Sequence, residues 1–175
     1  MIKPLLVYGR IAISDAELEL LCQITQNAKM YVEIGTLWGG SAITVALNNP
    51  HILVTAIDPM IGYYGGADEW AGGLTPSAQT LAANTEKNGV KDRVRLVEEY
   101  SHPFPLPGMA FDVGLIDGDH SYGAVYLDWL SLADICSVIA VHDMSDPQVL
   151  RAVTELCEGW KVIGKAGELW AFQRI

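Results

Sequence analysis

The sequence predicts an α/β protein with a mostly parallel sheet that ends in an antiparallel hairpin. Five short apolar runs rich in β-forming residues alternate with helical segments, which requires parallel strands joined by crossovers. The last two apolar runs are separated only by residues 165–168, too few for a crossover, so those strands must be antiparallel. The chain has 175 residues, half of them apolar, and this length predicts one domain over 1–175.

Apolar periodicity and capping residues place the individual elements. The predicted helices cover 14–28, 40–47, 75–88, 122–135 and 147–157. The predicted strands cover 31–34, 52–57, 93–97, 111–116, 137–141, 160–164 and 169–175. Ser14 with Glu17 three residues later is typical of a capping box, and Thr75 before Pro76 is typical of a helix start.

Two stretches fall outside these elements. Residues 1–13 are apolar and irregular, and we expect them to lie against a neighbouring segment or a second subunit of a homodimer. Residues 60–74 contain five glycines and three aromatic residues. A loop of this length is either mobile or a functional lid. We expect a lid over the substrate, with Tyr63, Tyr64 and Trp70 as contacts.

Composition limits the classes of partner. Lys and Arg number 11 against 21 Asp and Glu, and the formal charge of −10 repels phosphate backbones. This argues against nucleic acid and favours a small neutral or cationic substrate. The three cysteines, Cys22, Cys136 and Cys157, lack metal-ligand spacing and are typical of reduced thiols. Without a long apolar run or a signal peptide, the expected location is the cytoplasm, with no membrane contact.

The stretch from Met30 to Ser41 has the layout of a nucleotide-binding turn. Gly35 allows a sharp turn after a buried strand, and Gly39 leaves room for a ligand before Ser41 opens a helix. Free N–H groups at a helix start favour a carboxylate or phosphate. Glu33 at the strand end favours a cation, so the pattern indicates a ligand with an amino group. Asp58 lies 23 residues beyond Gly35, where a Rossmann-like unit holds a ribose.

The fourth and fifth strands end in acids and histidines. Asp117 and His120 follow the fourth strand, and His142 with Asp143 follows the fifth. Because the carboxyl ends of parallel strands meet at one edge, we expect these groups to lie beside the ligand. His120 and His142 are the candidates for a general base, and Asp119 is predicted to cap the next helix. The alternative for each histidine is a structural hydrogen bond to a loop.

These motifs in order resemble a known family. Glu33-Ile34-Gly35 through Gly39-Gly40-Ser41, Ile57-Asp58-Pro59, Asp117-Gly118-Asp119-His120-Ser121-Tyr122 and His142-Asp143 are similar to motifs of class I S-adenosylmethionine-dependent methyltransferases. The resemblance is to the small-molecule O-methyltransferase branch, which includes sugar and macrolide methylation. It implies a Rossmann-like three-layer sandwich with a seven-stranded sheet. It also implies methyl transfer from S-adenosylmethionine to a hydroxyl of a small acceptor such as a sugar or a phenol.

The resemblance also implies roles for particular residues. The cofactor-binding residues expected from it are Glu33, Gly35, Gly39, Ser41, Asp58, Tyr100, Ser101 and Asp117. Among them Asp58 accepts hydrogen bonds from both ribose hydroxyls, and Tyr100 with Ser101 holds the adenine. Asp117 lies beside the sulfonium and is expected, with His120 and His142, to form the catalytic group.

In metal-dependent relatives, Asp117 and a pair of acids after the fifth strand bind a divalent cation. Here that pair is His142-Asp143, so the candidate ligands are Asp117, His142 and Asp143. The imidazole makes Mg²⁺ less suitable, whereas Mn²⁺ or Zn²⁺ accepts nitrogen more readily. The sequence leaves open whether a metal binds.

Two other functions share part of this pattern. An NAD-dependent oxidoreductase would have the same strand, turn and distal acid, but the turn lacks a complete Gly-x-Gly-x-x-Gly. A non-catalytic module that only binds S-adenosylmethionine would keep the pocket. The acids and histidines at the acceptor side argue against such a module.

Overall fold

The computed structural model describes residues 1–62 and 66–175 and contains a seven-stranded sheet flanked by helices. The helices are α1 (Asp15–Thr25), α2 (Gly40–Asn48), α3 (Ala78–Lys87), α4 (Tyr122–Ile135) and α5 (Pro147–Leu156). The strands are β1 (Met30–Ile34), β2 (Leu53–Ile57), β3 (Val94–Val97), β4 (Phe111–Ile116), β5 (Cys136–Val141), β6 (Trp160–Ala166) and β7 (Leu169–Arg174). Tyr63 and Tyr64, the expected lid contacts, lie outside the described residues.

The sheet confirms the predicted fold class. The strand order is β3-β2-β1-β4-β5-β7-β6, in which β1 to β5 are parallel and β7 runs antiparallel to both of its neighbours. The chain proceeds outward from β1 to β3 and then returns to place β4 beside β1. This reversal creates a crevice at the carboxyl ends of β1 and β4, which is where open α/β sheets bind ligands.

The core is divided by the sheet into two apolar clusters. Tyr31 packs on one side with residues of α1 and α2, including Leu21 and Ile43. Its neighbour Val32 packs on the other side with residues of α4 such as Trp129. Adjacent residues of a strand point to opposite faces, so β1 is covered on both sides by helices. The result is the expected three-layer sandwich, with β1 in its centre.

Among the boundaries that differ from the prediction, two have clear local reasons. α3 begins at Ala78 and is capped by Ser77, not Thr75, because the Ser77 side chain and the Thr80 side chain form a reciprocal capping box. In the closing hairpin β6 is two residues longer than predicted and β7 ends one residue earlier, and only Gly167 and Glu168 connect them. The Lys165 ammonium lies 3.1 Å from the centroid of the Trp170 ring opposite it, a cross-strand contact that favours the longer pairing.

The N-terminal segment, residues 1–13, is attached to the rest of the chain by asparagine side chains. The Asn48 amide exchanges two hydrogen bonds of 2.7 Å with the backbone of Ile2. Asn88 does the same with Leu5 at 2.9 and 3.0 Å, and Asn84 accepts from and donates to the backbone around residue 8. The segment therefore packs against α2 and α3 of its own chain, as one of the two expectations for it required.

No helix among residues 1–62 and 66–175 is long and apolar enough to cross a membrane.

Candidate active site

A cavity of about 520 Å³ opens at the carboxyl edge of the parallel strands, within the size range of small-molecule sites. The predicted site residues that line it are Gly35, Ser41, Asp58, Tyr100, Ser101, Asp117, His120, His142 and Asp143. Two others, Glu33 and Gly39, are absent from this lining and lie behind the wall. The sequence-predicted groups are therefore brought together at one edge of the sheet.

The turn after β1 is built by backbone. Gly35 has φ +84°, and its N–H donates to the Ile57 carbonyl oxygen at 2.9 Å. A Cβ atom at Gly35 would lie 2.2 Å from the carbonyl oxygen of Asp117, so no other residue fits without a shift of the β4 end. Gly39 also has a positive φ, and a Cβ there would lie 2.4 Å from Leu81 Cδ1. Gly39 thus allows α3 to pack closely, whereas Gly35 allows β1 and β4 to meet.

Glu33 joins the turn to the start of α2. Its carboxyl group is fully buried and accepts hydrogen bonds from the hydroxyls of Tyr31 at 3.0 Å, Thr36 at 2.5 Å and Ser41. Burial raises the pKa of Glu33 to about 7, and these three donors only partly oppose the shift. The residue expected to face a ligand amino group therefore lies behind Ser41 and supports the cavity wall from within.

Asp58 at the end of β2 holds the glycine turn in place. Its Oδ2 accepts from the backbone N–H groups of Thr36 at 2.9 Å and Leu37 at 3.0 Å, while Oδ1 accepts from Met60 N–H at 2.8 Å. Leu37 has φ +50°, a conformation that costs energy in a residue with a side chain. Asp58 therefore stabilises a strained turn. A carboxylate has about four acceptor positions, so capacity for a ligand hydroxyl remains.

The expected adenine residues lie on the cavity rim after β3. Tyr100 is 64% exposed, and Ser101 is partly buried. The Ser101 side chain is hydrogen-bonded to Asp128, an almost fully buried acid of α4. Asp128 Oδ1 also lies 2.6 Å from His102 Nε2. The sequence assigned no role to His102, which here attaches the loop after β3 to α4.

The acids and histidines after β4 and β5 form one cluster. His142 Nδ1 lies 2.8 Å from Asp143 Oδ2 and 3.1 Å from Asp117 Oδ1. His120 Nε2 lies 2.9 Å from the same Asp143 oxygen. Asp119, in contrast, accepts from the Ser121 N–H at 2.8 Å, and Ser121 is the N-cap of α4. The prediction that Asp119 caps this helix is therefore wrong, because Asp119 shapes the turn before the cap.

The charges of the cluster favour protonated imidazoles. Burial lowers the pKa of His142, but the hydrogen bonds to Asp117 and Asp143 outweigh it and raise the pKa to about 11. The hydrogen bond to Asp143 also raises the pKa of His120. Burial raises the pKa of Asp117, whereas the two imidazoles hold the pKa of Asp143 well below its usual range although burial opposes them. Because a general base must be neutral, either histidine needs a ligand that changes this pairing before it accepts a proton.

Three residues of the same cluster have the spacing of metal ligands. Ligand atoms of Asp117, His120 and Asp143 all lie within 4.8 Å of one another. This set contains His120 in place of the expected His142, whose Nε2 lies 3.5 Å from Glu17 Oε1 on the far side of the ring. Two carboxylates with one imidazole suit Mn²⁺ or Zn²⁺.

Glu17 approaches this cluster, although the sequence predicted only a helix cap. It forms the capping box of α1 with Ser14, as predicted. In addition, Glu17 Oε1 accepts from the Glu168 N–H at 2.7 Å, which joins α1 to the closing hairpin. The carboxyl group is buried, and its hydrogen bond to Glu168 joins residues 151 positions apart. No local signal in the sequence contains that contact.

A second network at the cavity wall was also missed. Asp68 is fully buried and accepts hydrogen bonds from Trp38 Nε1 and Trp70 N–H, both at 3.0 Å. Arg10 Nε lies 3.2 Å from Asp68 Oδ2, and Arg10 itself lines the cavity. Burial raises the pKa of Asp68, but the Trp38 hydrogen bond and the Arg10 charge outweigh it and lower the pKa overall. The acid therefore stays ionised and joins the N-terminal segment to the 66–74 loop.

The described residues of the stretch 60–74 lie partly at the cavity and partly away from it. Ile61 and Gly62 line the cavity, whereas the Trp70 side chain is 84% exposed and is not part of the lining. The segment contains a short 3-10 turn, Glu69–Ala71, and a β-bridge between Asp68 and Leu74. A direct contact between Trp70 and a ligand is therefore absent from this arrangement of the described residues.

The glycine turn, Asp58 and the acid–histidine cluster surround one cavity at the carboxyl edge of a Rossmann-like sheet. The sequence model of the family described as "Methyltransferase domain" matches residues 32–144, more than half of the chain. The chain belongs to this family. No curated protein sequence matches it at a significant level.

Solved structures with the same fold include O-methyltransferases in complex with SAM or SAH. Cofactor-bound Rv0187 from MTB is 23% identical with a TM-score of 0.67, covering 97% of this chain and 84% of that one. The O-methyltransferase TomG from Streptomyces achromogenes, in complex with SAM, is 17% identical with a TM-score of 0.66, covering 94% and 82%. An O-methyltransferase from Bacillus cereus, in complex with SAH, is 17% identical with a TM-score of 0.65, covering 95% and 84%. At these identities the similarity shows the fold.

Proposed function

We propose that this protein transfers a methyl group from S-adenosylmethionine to a hydroxyl of a small molecule. The observation that carries the proposal is the single cavity shared by the glycine turn, Asp58 and the cluster of Asp117, His120, His142 and Asp143. The first two suit a nucleoside with an amino-acid end, and the cluster suits a hydroxyl that must lose its proton. Membership of the methyltransferase domain family and the SAM and SAH complexes with similar folds support it.

The residues present fit this cofactor. The cavity has the volume of a small-molecule site, and Asp58 faces it with acceptor capacity left for ribose hydroxyls. Tyr100 and Ser101 lie at the rim where the adenine is expected, and Asp117 lies near Gly35, where the amino-acid end is expected. S-adenosylmethionine supplies an activated methyl group on its sulfonium. The chain therefore needs chiefly to align the acceptor, which contributes up to about 7–11 kcal/mol.

The acceptor hydroxyl has to lose a proton during transfer. An alcohol or phenol holds its proton at neutral pH, and a positioned base or a metal contributes on the order of 10²–10⁴-fold. Asp117, His120 and Asp143 would hold a divalent cation, which lowers the pKa of a bound hydroxyl. Such a cation would also compete with the imidazoles for the carboxylates, and His142 would then act as the base with its proton released.

The acceptor is expected to be a small molecule such as a sugar or a phenol. Asp58, Asp117, Asp119 and Asp143 all line the cavity, and acids in this number disfavour a phosphorylated polymer. Ile61 and Gly62 form part of the wall, so the 60–74 stretch contributes to acceptor choice. A rival non-catalytic module would bind the cofactor but methylate nothing.

Turnover tests this proposal directly. The purified protein is incubated with S-adenosylmethionine labelled in its methyl group and a panel of sugars and phenols, with and without Mn²⁺. Label transferred to an acceptor hydroxyl, and absent when Asp117 is changed to Ala, is the expected result. Cofactor binding without transfer to any acceptor would contradict catalysis, and binding of NAD⁺ in place of S-adenosylhomocysteine would contradict the cofactor assignment.

A further inference from the structure

The wall of the cavity contains one guanidinium, on the N-terminal segment. Among the described lining residues, Arg10 is the one Lys or Arg, whereas four Asp side chains line the same space. The permanent charges of the wall are therefore mostly negative. A carboxylate that enters this cavity is attracted by Arg10, whereas the imidazoles of His120 and His142 are already paired with the carboxylates of Asp117 and Asp143.

Arg10 lies at the start of α2, where the backbone also favours an anion. A Cβ atom at Gly9 would overlap the Trp38 ring at 2.0 Å, and one at Gly40 would lie 3.2 Å from Ile11. Residues 9–11 thus run directly across the residues that open α2. Unpaired N–H groups and the helix dipole make such a helix start positive. Two independent sources of positive charge meet at this end of the cavity.

The guanidinium has donors left for a ligand. Its Nε faces Asp68 at 3.2 Å, and the side chain is 30% exposed. Among residues 1–62 and 66–175, no acceptor for its Nη1 or Nη2 groups is found. Asp68 shares its charge with Trp38 Nε1 and Trp70 N–H, so the pairing leaves Arg10 attractive to a second carboxylate. Asp68 is a positioning residue, because it contacts the Arg10 guanidinium only at Nε and so orients its two Nη groups.

We infer that Arg10 binds the α-carboxylate of the cofactor's amino-acid end, which rests on the function proposed above. This end carries one ammonium and one carboxylate. Asp117 beside Gly35 suits the ammonium, and Arg10 at the α2 start suits the carboxylate. The N-terminal segment is then part of the cofactor site, although it lies before the stretch 32–144 that defines the family.

The test compares three ligands by calorimetric titration of wild type and Arg10→Gln. S-adenosylhomocysteine has the complete amino-acid end, decarboxylated S-adenosylmethionine keeps only the ammonium, and 5′-methylthioadenosine has neither. Loss of a charge-assisted pair weakens binding by about 10- to 100-fold. Arg10→Gln is expected to weaken the binding of S-adenosylhomocysteine by this factor. The affinities for the other two ligands should stay within about twofold of wild type.

Two further variants separate recognition from structure. Lys3→Gln removes a cation from the same segment, but Lys3 pairs with the exposed Asp15, and no ligand should change. Arg10→Lys keeps a cation beside Asp68, so this variant should stay folded even if Arg10→Gln does not. It should weaken the binding of S-adenosylhomocysteine alone, and by less than Arg10→Gln does.

Equal losses for S-adenosylhomocysteine and 5′-methylthioadenosine would show that Arg10 only shapes the cavity, and unchanged S-adenosylhomocysteine affinity would show that it binds nothing. Either result overturns the inference and leaves the proposed function standing. Wild-type protein that binds none of the three ligands would overturn both.

Discussion

The two ends of the cavity are formed by different kinds of chemical group. Around the glycine turn the wall is mostly backbone, placed by Gly35 against the Asp117 carbonyl and by Asp58 against two N–H groups. At the other end the wall consists of ionisable side chains, in which Asp143 pairs with both His120 and His142. Backbone geometry does not depend on protons, whereas the paired side chains do. The end at the glycine turn is thus a fixed shape, and the end at the acid–histidine cluster is a charge distribution that a ligand or pH can change.

The largest expected effect is at the charged end. Asp143→Ala removes the group that holds both imidazoles, and metal-stimulated methyl transfer should fall by about 10²–10⁴-fold while S-adenosylhomocysteine affinity stays within about twofold. Asp134→Ala, the same change at an exposed position of α4, is the control and should transfer at the wild-type rate. An Asp143→Ala enzyme as fast as wild type would remove this residue from the acceptor side.

The backbone end is tested by Gly35→Ala. The new Cβ would meet the Asp117 carbonyl at 2.2 Å with φ +84°, and overpacking with backbone strain should lower the free energy of unfolding by about 3 kcal/mol or more. Gly72→Ala is the matched control, since Gly72 has φ +72° and no described residue places an atom within 4 Å of its Cβ position. It should cost about 1 kcal/mol. If urea denaturation gave both variants the same loss in the free energy of unfolding, the short distance between a Cβ atom at Gly35 and the Asp117 carbonyl would not affect stability.

Glu33, which lies behind the glycine turn, should make stability depend on pH. Its pKa is raised from 4.5 to about 7 in the folded state, so its stabilising contribution is complete below pH 4.5 and is lost as pH rises through 7. Glu33→Gln removes this loss, and its stability relative to wild type should increase between pH 4.5 and 8 by up to about 3 kcal/mol. Urea denaturation at several pH values measures the difference, with Glu99→Gln on the surface as control. A difference that does not vary with pH would show that Glu33 is ionised at no cost.

The smallest expected effect belongs to Asp58. Asp58→Ala should weaken S-adenosylhomocysteine binding by roughly 1.5–3 kcal/mol, the scale of hydrogen bonds to a charged group. Part of this loss comes from the turn, because Asp58 also accepts from Thr36 and Leu37 N–H. Circular dichroism must show a folded variant. A folded variant with wild-type affinity would remove Asp58 from the cofactor site.

The features that the sequence predicted are those that depend on nearby residues. β1 and its turn follow from a short apolar run and a glycine within six positions, and the parallel sheet follows from strand and helix alternation. The acid–histidine cluster was predicted because parallel strands end at one edge, although His120 rather than His142 completes the compact ligand set.

The features it did not predict depend on distant partners. Arg10 meets Asp68 across 58 positions and Glu168 meets Glu17 across 151, and in neither case does periodicity or spacing contain the contact. Asn84 forms hydrogen bonds with the backbone of Tyr8, and the polar sequence of its helix does not indicate this role either. Even the local error at Ser77 arose because two hydroxyl residues compete for one helix cap.

The most direct measurement is a calorimetric titration of the purified protein with S-adenosylhomocysteine, repeated with Asp58→Ala and with NAD⁺. The account predicts a dissociation constant near micromolar for wild type, about −8 kcal/mol, weaker binding for the variant and no heat from NAD⁺. Binding of NAD⁺, or no binding of S-adenosylhomocysteine by the folded protein, would contradict the assignment of this cavity to a methyltransferase cofactor.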